Sequence, residues 1–237
     1  MVALGLAVLF FVLPRIKQEA PPIDYSDFVD TSKPAETEVS KIMPKQVLLN
    51  VPFTSQAPTF KWDDARFQDG CEEASVFMAM KWVKGETITV SEAEKEILAL
   101  SDWQQERYNN FRDTSANDTV ARLFNIYYKY ENVTVRKSIT VDDIKQSLAQ
   151  GKLVLIPADG IKLKNPNFTQ PGPPRHFLVI KGYDEAKQEF ITNDPGTRKG
   201  ENYRYKYKVV YDAILDYPTG YHEPVTSDDK VMIVASK

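Results

Sequence analysis

A single cysteine, Cys71, and two histidines, His176 and His222, are the only sulfur nucleophile and the only imidazoles in the chain. Cys71 stands where the stretch 56–75, QAPTFKWDDARFQDGCEEAS, gives way to a helical pattern in which Ala74, Phe77, Met78 and Val83 recur at the three-and-four spacing of a buried face. Asp69 and Gly70 precede it as cap and breaker, and Glu72 and Glu73 occupy the first turn. A thiol at a helix start has its pKa lowered by unpaired backbone N–H groups, an effect the two glutamates oppose if they point at the sulfur. The position predicts a reactive thiolate. The plainer alternative is a buried cysteine acting as a small hydrophobe.

His176 opens the strand pattern HFLVIKGY (176–183), and a short polar turn leads to a second one, QEFITND (188–194), so the two read as a hairpin. With a three-residue turn at 184–186, His176 lies opposite Asp194, and a carboxylate beside the imidazole holds its tautomer and favours its protonated form. With a four-residue turn, Asn193 takes that place. Acyl transfer to a thiolate needs a base, a group that orients the base, and donors aimed at the developing oxyanion. Gln56 offers a side-chain amide for the last role, joined by the Cys71 backbone N–H. His222, in TGYHEP, is the rival base and reads as an exposed loop histidine. Asp63, Asp64 and Asp69 follow turn chemistry, and no metal is expected there.

The elements that must position these residues change character along the chain. VLLNVPF (47–53) looks like a buried strand running toward Gln56, and Trp62 and Phe67 read as packing aromatics. Gly85 stops the Cys71 helix, and Ser91 with Glu94 predicts a capping box opening SEAEKEILAL (91–100). Residues 102–111 and 117–130 are also expected to be helical, the latter burying Val120, Leu123, Phe124 and Tyr127. The second half is strand-rich. VTVRKS (133–138), LVLIPA (153–158) and VMIVA (231–235) read as strands, Thr140 caps a helix ended by Gly151, and a short helix is expected over 209–215. The stretch 159–175 is long and structureless, ending directly at His176, and reads as a loop over a site or an insert.

The chain's 237 residues, 42% of them apolar, suffice for a sizeable core. A net charge of −3 gives no electrostatic reason to expect nucleic acid or anionic lipid as a partner. The sequence has no phosphate loop and no GxGxxG, so no nucleotide is expected, and neither a disulfide nor a zinc-ligand spacing can be built from these cysteine and histidine counts. No cofactor is expected. Residues 2–13 form an apolar run shorter than the roughly 20 residues that cross a bilayer, the length of a signal-peptide core, with Arg15 and Lys17 behind it. The domain expectation is a hydrophobic signal or anchor at 1–14, a Pro-rich linker at 15–45 and a folded domain at 46–237. That places the protein outside the cytoplasm, secreted or tethered to the membrane by its N-terminal segment.

Four blocks in order, VPFTSQAP, QDGCEEAS, HFLVIKGYD and FITNDPG, resemble the signature blocks of papain-like cysteine peptidases in the stand-alone branch of family thirty-nine, which includes the bacteriocin-processing, double-glycine leader peptidases. The resemblance spans roughly residues 46–236. It implies an α+β, papain-like fold, with a helical half carrying the cysteine packed on an antiparallel sheet carrying the histidine. It also implies Cys71 as nucleophile, His176 as general base, Asp194 as orienting acid and Gln56 as oxyanion donor. The implied function is thiol-dependent hydrolysis of a peptide or isopeptide bond in a peptide or protein substrate, through an acyl-enzyme at Cys71. The same fold could instead serve as a non-catalytic peptide or cell-surface binding module, or transfer the acyl group to an amine. Two departures stand out. The bacteriocin processors are fused to an exporter and an ATPase, and Glu72–Glu73 stands where many relatives carry Gly-Pro.

Overall fold

The structure is a computed structural model that describes residues 43–237. The expected hydrophobic segment 1–14 and all but the last residues of the expected linker lie outside the described residues. Seven strands, every pair antiparallel, form one sheet in the order β2 (Val133–Lys137), β7 (Val231–Ala235), β3 (Leu153–Ala158), β4 (His176–Asp184), β5 (Glu189–Asn193) and β6 (Tyr203–Lys206). The short β1 (Gln46–Leu48) pairs with the far end of β4. The expected strand over 47–53 is therefore mostly an extended loop.

β3, β4 and β7 are buried along their whole length, which is why their sequences are continuous apolar runs rather than alternating ones. Alternation survives in where the side chains go. Leu153, Leu155, Phe177, Val179, Val231 and Ile233 share a core with Val76, Met78 and Met80 of the helix α2 (Cys71–Lys84). Val154, Ile156, Leu178, Ile180, Met232 and Val234 share the opposite core with Ile144 and Leu148 of α5 (Val141–Ala149) and Val210 of α7 (Tyr207–Ala213). The sheet is thus covered on both faces. Each fully buried aliphatic or aromatic side chain contributes roughly 1.5–3 kcal/mol.

The first turn of α2 is wedged in a smaller cluster, in which Ala74 meets Ala57, Phe67 of α1 (Ala65–Gln68) and Ile97 of α3 (Val90–Tyr108). Helix α3 is one helix where two were expected. Its capping box is Thr89 with Glu92, two residues before the expected Ser91–Glu94 pair, and Ser101 bonds back to the Ile97 carbonyl at 2.9 Å instead of breaking the helix. The next helical segment starts as α4 (Ala116–Asp118) and continues as a π-helical stretch, Thr119–Tyr127. Thr140 caps α5 as expected, with Asp143 closing the box. The segment 159–175 contains a short helix, α6 (Gly160–Leu163), capped by Asp159.

The β4–β5 hairpin corrects both expected registers. Asp184 pairs with Glu189 across a four-residue turn, a bulge at Lys181 then shifts the ladder by one, and Val179 pairs with Asn193, where β5 ends. The four-residue turn spans 185–188 rather than centring before Glu185, so Asn193 does not come opposite His176, and the ladder closes three residues short of the histidine. Beyond it Asp194 donates its N–H to the Gly200 carbonyl at 3.0 Å, so the chain doubles back within 194–200.

Candidate active site

Cys71 is the first residue of α2, with Gly70 as its N-cap. A Cβ at Gly70 would lie 2.4 Å from the Arg66 carbonyl oxygen, so α1 can end against the start of α2 only with glycine there. Asp69 makes no cap for α2; it closes α1 and pairs with Arg112 at 3.1 Å. The Cys71 thiol is buried and donates to Glu72 Oε2 at 3.1 Å. Glu72 is itself buried, and its Oε1 accepts from the Thr114 N–H at 3.0 Å and the Tyr217 hydroxyl at 2.9 Å.

This corrects the expectation of an acidified thiol. Burial, then the Glu72 carboxylate, hold the Cys71 thiol well above its ordinary pKa, because both penalise a second negative charge in a dry site. Burial likewise pushes Glu72 up to about 7 and raises Glu73, whose Oε1 accepts from Gln104 at 2.7 Å. The helix terminus is present, but two carboxylates that turn inward outweigh it.

His176 and Asp194 meet although the ladder does not oppose them: Nε2 lies 2.8 Å from Asp194 Oδ1. A carboxylate accepts only, so Nε2 carries the hydrogen and Nδ1 is left as the basic nitrogen. Asp194 Oδ1 also accepts from the Gly196 N–H at 3.0 Å, and Oδ2 accepts from the Tyr205 hydroxyl at 2.5 Å and from Asn165 at 3.4 Å. Burial opposes its charge, yet the His176 ring and the Tyr205 and Gly196 donors hold the carboxyl below its ordinary range. Phe168 sets its ring edge to the imidazole, with centroids 5.2 Å apart. A Cβ at Gly196 would lie 2.8 Å from the imidazole Cε1, so the 194–200 turn also shapes the seat of the ring. Asn193 is occupied elsewhere, donating to the Val51 and Pro52 carbonyls at 3.2 and 3.1 Å.

Gln56 is buried in the same wall, its segment tied to the 194–196 turn by a bond from its N–H to the Pro195 carbonyl at 2.9 Å. Its side chain does not present a free donor. Nε2 donates to the Phe67 carbonyl at 2.9 Å and the Gln68 carbonyl at 2.7 Å, and Oε1 is buried without a partner among the described residues. Two carbonyls on one side fix the amide orientation, because a flip would set oxygen against oxygen.

The four residues come from four segments, and two bonds close the gap between the cysteine helix and the histidine strand. Ser75 Oγ, one turn below Cys71, lies 3.4 Å from the Phe177 carbonyl. The Tyr217 hydroxyl holds one proton between Glu72 Oε1 and the His176 carbonyl, 3.2 Å away. Gln56, Cys71 and His176 then line one cleft of about 390 Å³, with the 168–175 loop along one side and Trp62, Asp113 and His222 on its rim. Asp194 sits behind His176, fully buried.

Trp62, expected as packing, is partly exposed on this rim, unlike the fully buried Phe67. His222 is exposed, stacked on Tyr221 with centroids 4.1 Å apart, and its backbone N–H donates to Asp113 Oδ2 at 2.6 Å. Tyr205, Asn165, Tyr217 and Gly196 carry no sequence signal of their own beyond the Tyr-rich run 203–207 and the Pro-Gly pair after Asp194. Among the described residues no group of metal-ligating side chains is arranged to hold an ion, and no helix is long and apolar enough to cross a membrane.

Residues 48–218 match the model of the peptidase C39-like family. A solved structure from Bacillus anthracis described as a C39-like peptidase is similar at 16% identity and a TM-score of 0.46, covering 81% of this chain and 98% of that one. Xylellain, a cysteine protease from Xylella fastidiosa, is similar at 14% identity and a TM-score of 0.37, covering 92% and 94%. No curated protein matches the chain.

Proposed function

Because the chain belongs to the peptidase C39-like family, we propose that it is a cysteine peptidase that hydrolyses a peptide or isopeptide bond through an acyl-enzyme at Cys71. The observation that carries this reading is the His176–Asp194 pair at 2.8 Å, set in the wall of the cleft that Cys71 also lines. In the proposed cycle His176 Nδ1 accepts the thiol proton and the sulfur attacks the substrate carbonyl carbon. The C–N bond breaks, the amine leaves with the proton from His176, and water then hydrolyses the thioester. Asp194 holds the ring and stabilises the imidazolium. The Cys71 N–H, unpaired at the helix start, is the oxyanion donor. Gln56 joins it only by releasing the Gln68 carbonyl.

Incubating the protein with casein-derived peptides, with mass spectrometry of both peptides and protein, tests the reading. New peptide ends and a transient acyl adduct on Cys71, both absent in Cys71→Ala and in His176→Ala, are expected. Cleavage that survives Cys71→Ala overturns it. An added amine nucleophile separates hydrolysis from acyl transfer by the products formed. The protonated, Glu72-bound thiol favours one second reading, a non-catalytic peptide-binding module, which predicts saturable binding that survives Cys71→Ser with no adduct at any time. The apolar run 2–13 supports an exported or membrane-tethered protein, and fractionation of expressing cells checks it.

A further inference from the structure

A second depression of about 680 Å³ adjoins the cleft, with Trp62, Thr169 and Gly196 forming part of the wall of both. Its outer side is built by Arg198 and Lys199, at the exposed tip of the same 194–200 turn that carries Asp194 and Gly196. The guanidinium of Arg198 is held over the Phe60 ring, 4.3 Å from its centroid, and Phe60 is itself fixed in a left-handed conformation with φ 66°. Among the described residues neither cation has a carboxylate within ion-pair distance, whereas the nearby Lys61 pairs with Glu94 at 2.8 Å and Arg66 with Asp64 and Asp102 at 2.7 and 3.0 Å; Arg175, in the cleft wall, is instead bonded to the Glu223 carbonyl at 2.9 Å. The cleft itself, unlike this depression, has carboxylates in its lining. Asp69 and Asp113 stand there, engaged by Arg112 and by the His222 N–H.

A protein of net charge −3 has no shortage of carboxylates to neutralise two cations. Here they are left open, one of them pre-oriented on an aromatic ring, beside an indole and next to the imidazole end of the cleft. A guanidinium presents paired N–H donors that match a carboxylate, and a ring-stacked one loses less freedom on binding. We propose that this depression is a substrate subsite for a carboxylate, and that Arg198 and Lys199 make the enzyme prefer substrates with an acidic group a fixed distance from the scissile bond on the His176 side. The carboxylate belongs either to an Asp or Glu side chain or to the free C-terminus of a short peptide. The inference rests on the peptidase reading above.

The test is cleavage-site profiling of a proteome-derived peptide mixture by the full chain. Asp or Glu enriched at one position is the expected result for a side-chain carboxylate, and cleavage at a constant distance from the C-terminus, lost on amidation, is the expected result for the chain end. Replacing the preferred acid by its amide should lower kcat/KM about 3- to 10-fold, the range of a partly exposed charge-assisted pair. The double charge reversal Arg198→Glu with Lys199→Glu should erase or invert that ratio, and both side chains are exposed, so unfolding is readily excluded by circular dichroism. Cleavage with no carboxylate preference, or a preference unchanged by charge reversal, overturns the subsite and leaves the peptidase reading standing. No cleavage at all, equal to that of Cys71→Ser, overturns both.

Discussion

Glu72 accepts three hydrogen bonds, and only one of its oxygens has room for a proton. Oε1 already takes Thr114 N–H and Tyr217 O–H, so a proton on this carboxyl belongs on Oε2, facing the sulfur at 3.1 Å. Cys71 and Glu72 therefore compete for the same space. With Glu72 ionised the thiol must donate, and a thiolate is opposed; with Glu72 neutral, Oε2–H can donate to a thiolate. A glutamine fits the same bonds, its oxygen taking the two donors and its amide turned to the sulfur. In Glu72→Gln, iodoacetamide alkylation of Cys71 should move to lower pH than in the native protein, and an unchanged or upward-shifted profile would refute the argument. Asp194→Asn should lower kcat by about 10²- to 10⁴-fold, the usual worth of a positioned general base, since the amide cannot stabilise an imidazolium. Gly196→Ala tests the seat of the ring. Its Cβ would meet Cε1 at 2.8 Å and the Phe168 ring at 2.9 Å, so both kcat and the urea midpoint should fall, and an unchanged kcat would count against this seat. At this scale residue types were legible, because the chain offers one thiol and two imidazoles. Side-chain direction was not: nothing in QDGCEEAS says that Glu72 turns inward to Thr114 and Tyr217, residues 42 and 145 positions away.

Helix α2 and strand β4 act as a unit, because Phe177, next to His176, is fully buried in the core that α2 covers. Phe177→Ala should cost about 3–5 kcal/mol in denaturant unfolding. A loss below 1 kcal/mol would mean that this core is not what holds the histidine strand to the cysteine helix. Most elements could be read from apolar runs: β3, β4, β5 and β7 lie where LVLIPA, HFLVIKGY, QEFITND and VMIVA predict them. Their pairing could not. Counting residues across the hairpin puts the turn at 184–186, whereas it spans 185–188, and the bulge at Lys181, whose local mark is Gly182 within the strand pattern, then shifts the ladder by one residue. The expected His176–Asp194 contact is present for a different reason, the turn at 194–200 that brings the carboxylate back past the end of β5. The cap of α3 was misread because Thr89 and Ser91 both offer a hydroxyl three residues before a glutamate, and only packing chooses between them.

Over the whole molecule the α+β arrangement, a cysteine helix on an antiparallel histidine-bearing sheet, follows from the order of apolar patterns. The buried acidic patch behind the nucleophile does not, since its acids come from α2 and Asp113 and their hydrogen-bond partners from α3, Thr114 and Tyr217. That patch has a consequence for stability. A carboxyl whose pKa is raised on folding binds its proton more tightly in the native state, so its contribution is complete below the ordinary value of 4.5 and is lost as pH rises through about 7 for Glu72. Asp194, whose pKa is lowered, has the opposite sign, contributing above the ordinary carboxylate range and losing its contribution as pH falls through its native value. The urea midpoint of Glu72→Gln minus that of the native protein should then rise between about pH 5 and about pH 8, and a difference that stays flat or falls with pH would count against a buried, proton-retaining Glu72.

The Tyr217 hydroxyl has one hydrogen and two claimants, the Glu72 carboxyl and the peptide oxygen of His176, at 2.9 and 3.2 Å. Ionised Glu72 wins that hydrogen; neutral Glu72 lets it swing toward the peptide. A carbon-13 label placed in the carbonyl of His176 would therefore register, as a chemical-shift titration with a midpoint near 7, whether the charge beside the nucleophile is on or off, and it would do so in a protein with no substrate bound.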